Sequence, residues 1–463
     1  MNVSNYKESL TVNQVQIEFT NKPMTSYGGM SIVAKLLERI SFREWIENNL
    51  PVEERSNNAK GIYGKVLGLM FTVLCGGNRY SHNGWWSHGA TALKATFGVT
   101  WLPLASTTLT RFWGKINSQK IAERWMDSAR TFARQTMDWM KITQDHLCLD
   151  SSVITRNGVQ EGAARGYNPA KKGRPSHHPL LAYLGCGLAV NLWNRCGNTA
   201  SASNAIAFID QTFRMLDGIA ITFLLCDSGF YGLKFLKHLG TKACKYIMAV
   251  PLNRLFQSKI QSLTDWRKIA DGIEVNEFDY ALGGEGEESR RYVAIRQNIK
   301  KRPKAGGKQP FLFREMEEWR DYRMGLLTTS ERLPPPEEIW RSYRPRANVE
   351  NGIKELKHGY GIEGFCLDNF WATEAAMGMI ALVFHNLVHY LKATVIAPEG
   401  ALPQLKTLRG KYFILPGVLG NGGGYPVLRL AVSGKSFMAK FVSIFARIEL
   451  IPHRLNCIAV ETG

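Results

Sequence analysis

The sequence contains no C-x-x-C pair, although it holds eight cysteines, at 75, 148, 186, 196, 226, 244, 366 and 457. Scattered single cysteines indicate neither a disulfide framework nor a zinc ribbon, and they fit a reducing cytoplasm. No internal repeat and no low-complexity tract is present. The opening stretch MNVSNYKESLTVNQVQIEFT has no basic segment followed by an apolar core, so no secretory signal is read. Long hydrophobic runs are also missing. The most membrane-like one, AAMGMIALVFHNLV, is short and carries His385 and Asn386, which predicts a buried core helix and no membrane partner. SGKS at 433–436 lacks the first glycine of a P-loop, because that position is Arg429. GNGGG precedes a proline-containing strand, so it reads as a turn rather than a dinucleotide fingerprint. His385 and His389 have the spacing of a zinc-protease helix, but Asn386 stands where the catalytic glutamate belongs, and a buried hydrogen-bonding role is expected. SHHP at 176–179 offers adjacent histidines without a third ligand nearby.

Acid is scarce relative to base. Against 39 Asp and Glu stand 58 Lys and Arg, a net charge of +19. Such an excess favours a polyanion, because each phosphate neutralised releases condensed counterions. Membrane surfaces and acidic proteins remain the alternatives. Hydrophobic residues make up 45% and charged residues 21%, ordinary for a globular chain, and 463 residues allow two to four domains or one core with insertions.

Residues 1–140 read as a helical N-terminal domain, for DNA binding or dimerisation. SIVAKLLERISFREWIENNL and KIAERWMDSARTFARQTMDWM space apolar residues at three and four, and Ser106 or Thr107 offers an N-cap for a short basic helix. From 141 to 254 strands alternate with helices: HLCLDSSVITR, LLAYLGCGLAVNLW as a buried strand, SNAIAFIDQTFRML as a helix, then GIAITFLLCDSGFYG and CKYIMAVP as strands. That rhythm predicts an α/β core with parallel pairing. Residues 255–330 break it with antiparallel strands, a β-rich insertion. Its basic loop carries Lys300, Lys301, Arg302, Lys304 and Lys308 and is either phosphate-facing or solvated. The core resumes over 331–395, and 396–463 form a small basic C-terminal region of short strands and an amphipathic helix.

Two acids end apolar strands, Asp150 in LCLD and Asp227 in TFLLCD. Singly, each suits a strand-to-turn cap. Together in one core they suit a hard divalent cation, since a buried carboxylate is costly unless paired or metal-bound. A third acid is sought in YRPRANVENGIKELKHGYG. On one continuous helix Tyr343, Arg346, Glu350 and Lys357 fall within roughly 60°, and Glu355 points elsewhere. The alternative is a solvated, salt-bridged surface helix, and Pro345 must either open or kink it. Lys171, Lys172 and Arg174, after the Asp150 strand, form a candidate phosphate-binding loop.

The spacing Tyr343, Arg346, Glu350, Lys357, with LDSSV, GVQEGAARGYNPAKKGRPSHHPLLAYL, CDSGFYG, GGNRYSHNGWW, STTLTRFW and LRGKYFILPG, resembles the DDE transposases of insertion sequences. The resemblance covers nearly the whole chain. It is to the insertion-sequence-4 superfamily, and within it to the insertion-sequence-1380 family. Many relatives carry a second aspartate where this chain has Cys148. The resemblance implies an RNase H-like catalytic core interrupted by a β-rich insertion, with Asp150, Asp227 and Glu350 as the catalytic, metal-holding acids. It further implies Mg²⁺, with Mn²⁺ able to substitute; double-stranded DNA, as transposon ends and target; a homodimeric synapse; and cytoplasmic work. Tyr343, Arg346 and Lys357 would hold the DNA end, with Tyr343 stacking on a base. The rivals are a domesticated, inactive DNA-binding relative and a metal nuclease of the same fold without strand transfer.

Overall fold

The computed structural model of the chain describes residues 11–54, 60–169, 171–284, 286–303, 317–452 and 454–455. At its centre, among the described residues, is a nine-stranded mixed sheet. In chain order its strands are β1 (Gln144–Ser151), β2 (Leu180–Leu184), β3 (Ala189–Trp193), β4 (Ala220–Cys226), β5 (Tyr246–Ala249), β6 (Arg267–Ala270), β7 (Ile273–Ala281), β8 (Ser289–Asn298) and β9 (Tyr322–Thr329). Across the sheet the order is β6-β7-β8-β9-β5-β4-β1-β2-β3.

The central strands β1, β4 and β5 are parallel. Leu147, Cys148 and Leu149 of β1 and Leu224, Leu225 and Cys226 of β4 are all fully buried, which is why both read as continuous apolar runs rather than alternating ones. Parallel neighbours need crossovers. Between β1 and β4 that crossover includes β2, β3 and the helix Ala205–Met215; between β4 and β5 it is the helix Leu233–Thr241. LLAYLGCGLAVNLW is not one strand, as its apolarity suggested, but the hairpin β2–β3. Gly187, at φ +102°, makes the turn in the left-handed region that glycine reaches without strain. The insertion strands also do more than expected. β9 pairs antiparallel with β5, so β6 to β9 lengthen the core sheet instead of forming a separate layer.

Helices cover the core. SIVAKLLERISFREWIENNL splits into α1 (Ser31–Arg39) and α2 (Phe42–Asn49), because Ser41 adopts φ +56°. The short basic helix α3 (Ser106–Trp113) has Ala105 at its N-cap and no side-chain cap, so neither Ser106 nor Thr107 serves as predicted. The helix α4 (Gln119–Trp139) packs on a long apolar helix, α5 (Phe370–Ile396), and Trp125 Nε1 donates to Ala375 O at 3.0 Å. By length and composition α5 is sufficient to cross a membrane, yet its most apolar window is 89% buried inside the protein. Asn386 in α5 acts as a strand partner for β3, accepting from Ala189 N at 2.9 Å and donating to Ala189 O at 2.8 Å. N-terminal and C-terminal segments meet as well. Met24–Thr25 pairs with Gly417–Gly422, and Arg39 Nε donates to Ile451 O at 2.6 Å.

Candidate active site

Register brings the two aspartates together. In the parallel pair β1/β4, Leu149 lies opposite Cys226, so Asp150, near the end of β1, and Asp227, just past β4, sit side by side at the carboxyl edge of these strands. Asp150 Oδ1 accepts from Ser151 N at 2.8 Å, and its side chain is only 14% exposed. Burial, then the neighbouring Asp227, push its carboxyl up to about 6. Asp227 also serves as a cap, with Oδ1 accepting from Gly229 N at 2.9 Å at the start of the turn Ser228–Phe230.

The third group arrives on two helices, not one. Pro345 opens α7 (Arg346–His358) after α6 (Pro336–Tyr343), and the two residues between, Arg344 and Pro345, keep helical φ/ψ, so Tyr343 stays beside Arg346. Tyr343 also reaches the site: its hydroxyl donates to Cys226 O at 3.0 Å, one residue before Asp227. Burial raises its pKa, and the Arg346 guanidinium carbon lies 5.8 Å from its ring centroid.

Val349, Ile353 and Leu356 anchor α7 to the core and leave Glu350 on the open side, its side chain 45% exposed. Arg346 bridges the acids. Nη1 is 3.6 Å from Asp150 Oδ2, and Nη2 donates to Glu350 Oε1. Glu355 lies away from this face, as expected, but is not idle. It accepts from Lys392 Nζ at 3.2 Å and from Leu405 N at 2.6 Å, and Lys392 is 2% exposed. Lys357 Nζ donates to Val153 O at 2.8 Å and pairs with Glu363 at 3.0 Å.

A cleft of about 690 Å³ opens beside Asp227, lined by Ser151, His178, Ser201, Lys171, Lys357 and Arg79 among others. Of the predicted phosphate loop, Lys171 lines it; Lys172 and Arg174 are exposed on the same loop but do not. The described part of the insertion's basic loop makes surface ion pairs of its own. Lys300 pairs with Asp321, Lys301 pairs with Asp271 at 3.0 Å, and Arg302 Nε donates to Asp271 O at 2.8 Å. Lys304 and Lys308 lie outside the described residues.

Sequence reasoning missed the polar floor of this cleft. His178 Nδ1 meets Thr199 O at 2.7 Å, and Nε2 meets Ser151 Oγ at 3.1 Å, which in turn meets Ser201 Oγ at 2.9 Å. A carbonyl only accepts, so Nδ1 carries the proton and Ser151 donates to Nε2. The signal for it is SHHP, whose second histidine sits beside the strand carrying Asp150 and Ser151. His177 is held by Arg156 Nε at 3.0 Å and pushed down to about 4 by burial. The HNLVH pair is structural, as expected. His385 meets Gly187 O at 3.0 Å, and burial pushes His385 to about 4 and His389 to about 3.

Among the described residues no group of three His, Cys, Asp or Glu side chains lies close enough to hold an ion. The chemistry of the donor set nevertheless fits a hard divalent cation. All three groups are carboxylates, and burial with the neighbouring Asp227 disfavours the charged form of Asp150, a cost that a cation would offset. Arg346 stands in for part of that charge.

Fold and site define an α/β protein with carboxylates gathered at the carboxyl edge of its central parallel strands. The family model described as "Transposase DDE domain" matches residues 141–386, and the chain belongs to that family. No curated protein matches the sequence. Among solved structures the chain is similar to "piggyBac transposase synaptic complex with hairpin DNA", with 12% identity over 85% of this chain and 82% of that one. The TM-score is 0.44, too low to define a common fold.

Proposed function

We propose that this transposase is a cut-and-paste enzyme that cleaves DNA at the terminal inverted repeats of an insertion sequence and joins the ends to target DNA. The observation that carries the reading is the convergence of Asp150, Asp227, Glu350 and Arg346 at one edge of the sheet, beside a cleft with basic residues on its wall. The order β3-β2-β1-β4-β5, with β1, β4 and β5 parallel and β2 antiparallel to its neighbours, supports an RNase H-like core. The motif Tyr343, Arg346, Glu350, Lys357 supports membership of the insertion-sequence-4 superfamily, near its 1380 family.

Asp150, Asp227 and Glu350 would hold Mg²⁺ or Mn²⁺, which supplies positive charge at the attacking and leaving oxygens of an in-line displacement when bound. The chain's own groups do the positioning. Tyr343 fixes the strand end that carries Asp227, and Arg346 aligns Asp150 with Glu350. Lys357 and Lys171 meet backbone phosphates. Water attacks first and frees a 3′-hydroxyl; that hydroxyl then attacks a second phosphodiester, releasing another 3′-oxygen. Each step exchanges one P–O bond for another, so no covalent protein intermediate is needed. The N-terminal helices and basic tail would grip the repeats in a homodimer, acting in the cytoplasm on chromosomal DNA.

The test is an end-cleavage and plasmid-joining assay on the DNA that flanks the gene. Asp150→Asn, Asp227→Asn and Glu350→Gln should each lose both products while still shifting the DNA in a gel. Cleavage without joined product would instead indicate a nuclease, and full activity of any triad variant would sink the assignment.

A further inference from the structure

The register of β1 with β4 ends at Leu149 and Cys226, so the ladder does not carry through to Asp150 and Asp227. Two carboxylates side by side repel, and left to themselves they would splay. The loop after β3 lies between them. On one side Ser201 Oγ meets Ser151 Oγ at 2.9 Å, one residue past Asp150. On the other side Ser201 abuts the turn that caps Asp227. A Cβ on Gly229 would lie 3.0 Å from both Cβ and Oγ of Ser201 and 3.1 Å from Asp227 Oδ1. Gly229 N is the donor that holds that same oxygen.

His178 sets the direction of these bonds. Burial lowers the pKa of its ring and keeps it neutral. Its one proton is spent on Thr199 O, so Nε2 only accepts, and Ser151 is the donor to it. With the Ser151 proton used, Ser201 must donate between the two hydroxyls. The result is one directed chain, from Ser201 to Ser151 to His178 to Thr199 O. It starts and ends in the same loop and closes around the end of β1, a clip between the two aspartates.

The clip is braced from behind by Arg195, which is 5% exposed. Its carbonyl accepts from His178 N at 3.0 Å, and its Nε donates to His178 O at 2.8 Å. Its Nη1 donates to Ala200 O at 3.1 Å, Ser201 O at 3.2 Å and Ser203 O at 2.6 Å. One side chain therefore fixes both the backbone that presents His178 and the loop that presents Ser201. Ser151, His178 and Ser201 all line the cleft beside Asp227. Their side-chain protons are nevertheless spent inside the protein, with none left for a phosphate. That pattern suits holding the acids in place rather than gripping DNA.

We propose that His178, acting through Ser151 and Ser201, is a positioning residue that holds Asp150 and Asp227 at the separation a divalent cation needs. The proposal rests on the transposase reading for the ion, but its test reads ion binding and not cleavage. The full chain, without DNA, is titrated with Mn²⁺ in a calorimeter. His178→Ala and Ser201→Ala should each weaken Mn²⁺ binding roughly 10-fold, the worth of a group that supports a metal ligand. Ser201→Ala removes one hydroxyl and leaves the bonds of Arg195 in place, so it separates loss of the clip from loss of fold. His178→Gln puts Oε1 where Nε2 stood, accepts from Ser151 and should bind nearly as tightly as wild type. His178→Asn replaces Nδ1 alone and should bind as weakly as the alanine variant. A merely structural histidine would not separate the two amides. Unchanged affinity in either alanine variant, or equal affinity in His178→Gln and His178→Asn, overturns the proposal. A wild type that binds no Mn²⁺ overturns it together with the metal assignment. The expected binding pattern in a protein that never cuts a repeat-end duplex would support the proposal and count against the transposase reading alone.

Discussion

Arg346 reaches from the first turn of its helix to Asp150 on the central strand, Nη1 to Oδ2 at 3.6 Å, while its other terminal nitrogen holds Glu350. One guanidinium thus joins two acids that come from distant parts of the chain. Burial alone would lower the pKa of Arg346; Tyr343, Asp150 and Glu350 raise it instead, so the charge is secure. Arg346→Ala should slow end cleavage by about 10- to 100-fold, the worth of a charge-assisted bond. Apparent Mn²⁺ affinity should hold or rise, since a competing cation has gone. Weaker Mn²⁺ binding in a calorimetric titration would contradict this role.

Asp150 predicts a pH effect of definite sign. Its carboxyl lies near 6 in the fold against an ordinary 3.8. Below pH 3.8 both folded and unfolded states are protonated, and the group contributes nothing. Between the two values the folded state binds the extra proton, so stability falls as pH rises, and above pH 6 the full penalty persists. In chelator, Asp150→Asn should therefore melt higher than wild type at pH 7.5, by on the order of 1–3 kcal/mol. The gap should close below pH 4. Equal melting at pH 7.5 would show that Asp150 carries no such penalty.

Glu350 and Glu355 should part company in two assays. Glu350→Gln abolishes cleavage with little change in melting, because its carboxylate is half exposed. Glu355→Gln keeps the cleavage chemistry but removes the partner of buried Lys392, at a cost of about 3 kcal/mol. Cleavage by both is measured at a temperature where both are folded. Loss of cleavage in folded Glu355→Gln would reopen which glutamate serves.

Lys357 is tied to Val153 O and Glu363 but faces the cleft. Lys357→Met should weaken binding of repeat-end DNA across sequences and lower the slope of log affinity against log salt by about 1. A slope identical to wild type would place Lys357 off the DNA path.

The sequence alone determined where the acids would emerge. LCLD and TFLLCD are apolar runs closed by a carboxylate, and a strand buried on both faces must read that way. It also determined that Glu350 and Glu355 face different ways, since helical rotation separates them locally. Tertiary structure decided the rest. Pro345 opened a second helix where periodicity read one, and the hydroxyl of Tyr343 reached a carbonyl on a strand more than a hundred residues earlier. The hairpin at Gly187, the pairing of β9 with β5, the insertion's cations meeting Asp271 and Asp321, and the burial of Lys392 against Glu355 share one cause. Each depends on groups from different elements meeting in space. Local periodicity reports which face a residue occupies, not what meets that face.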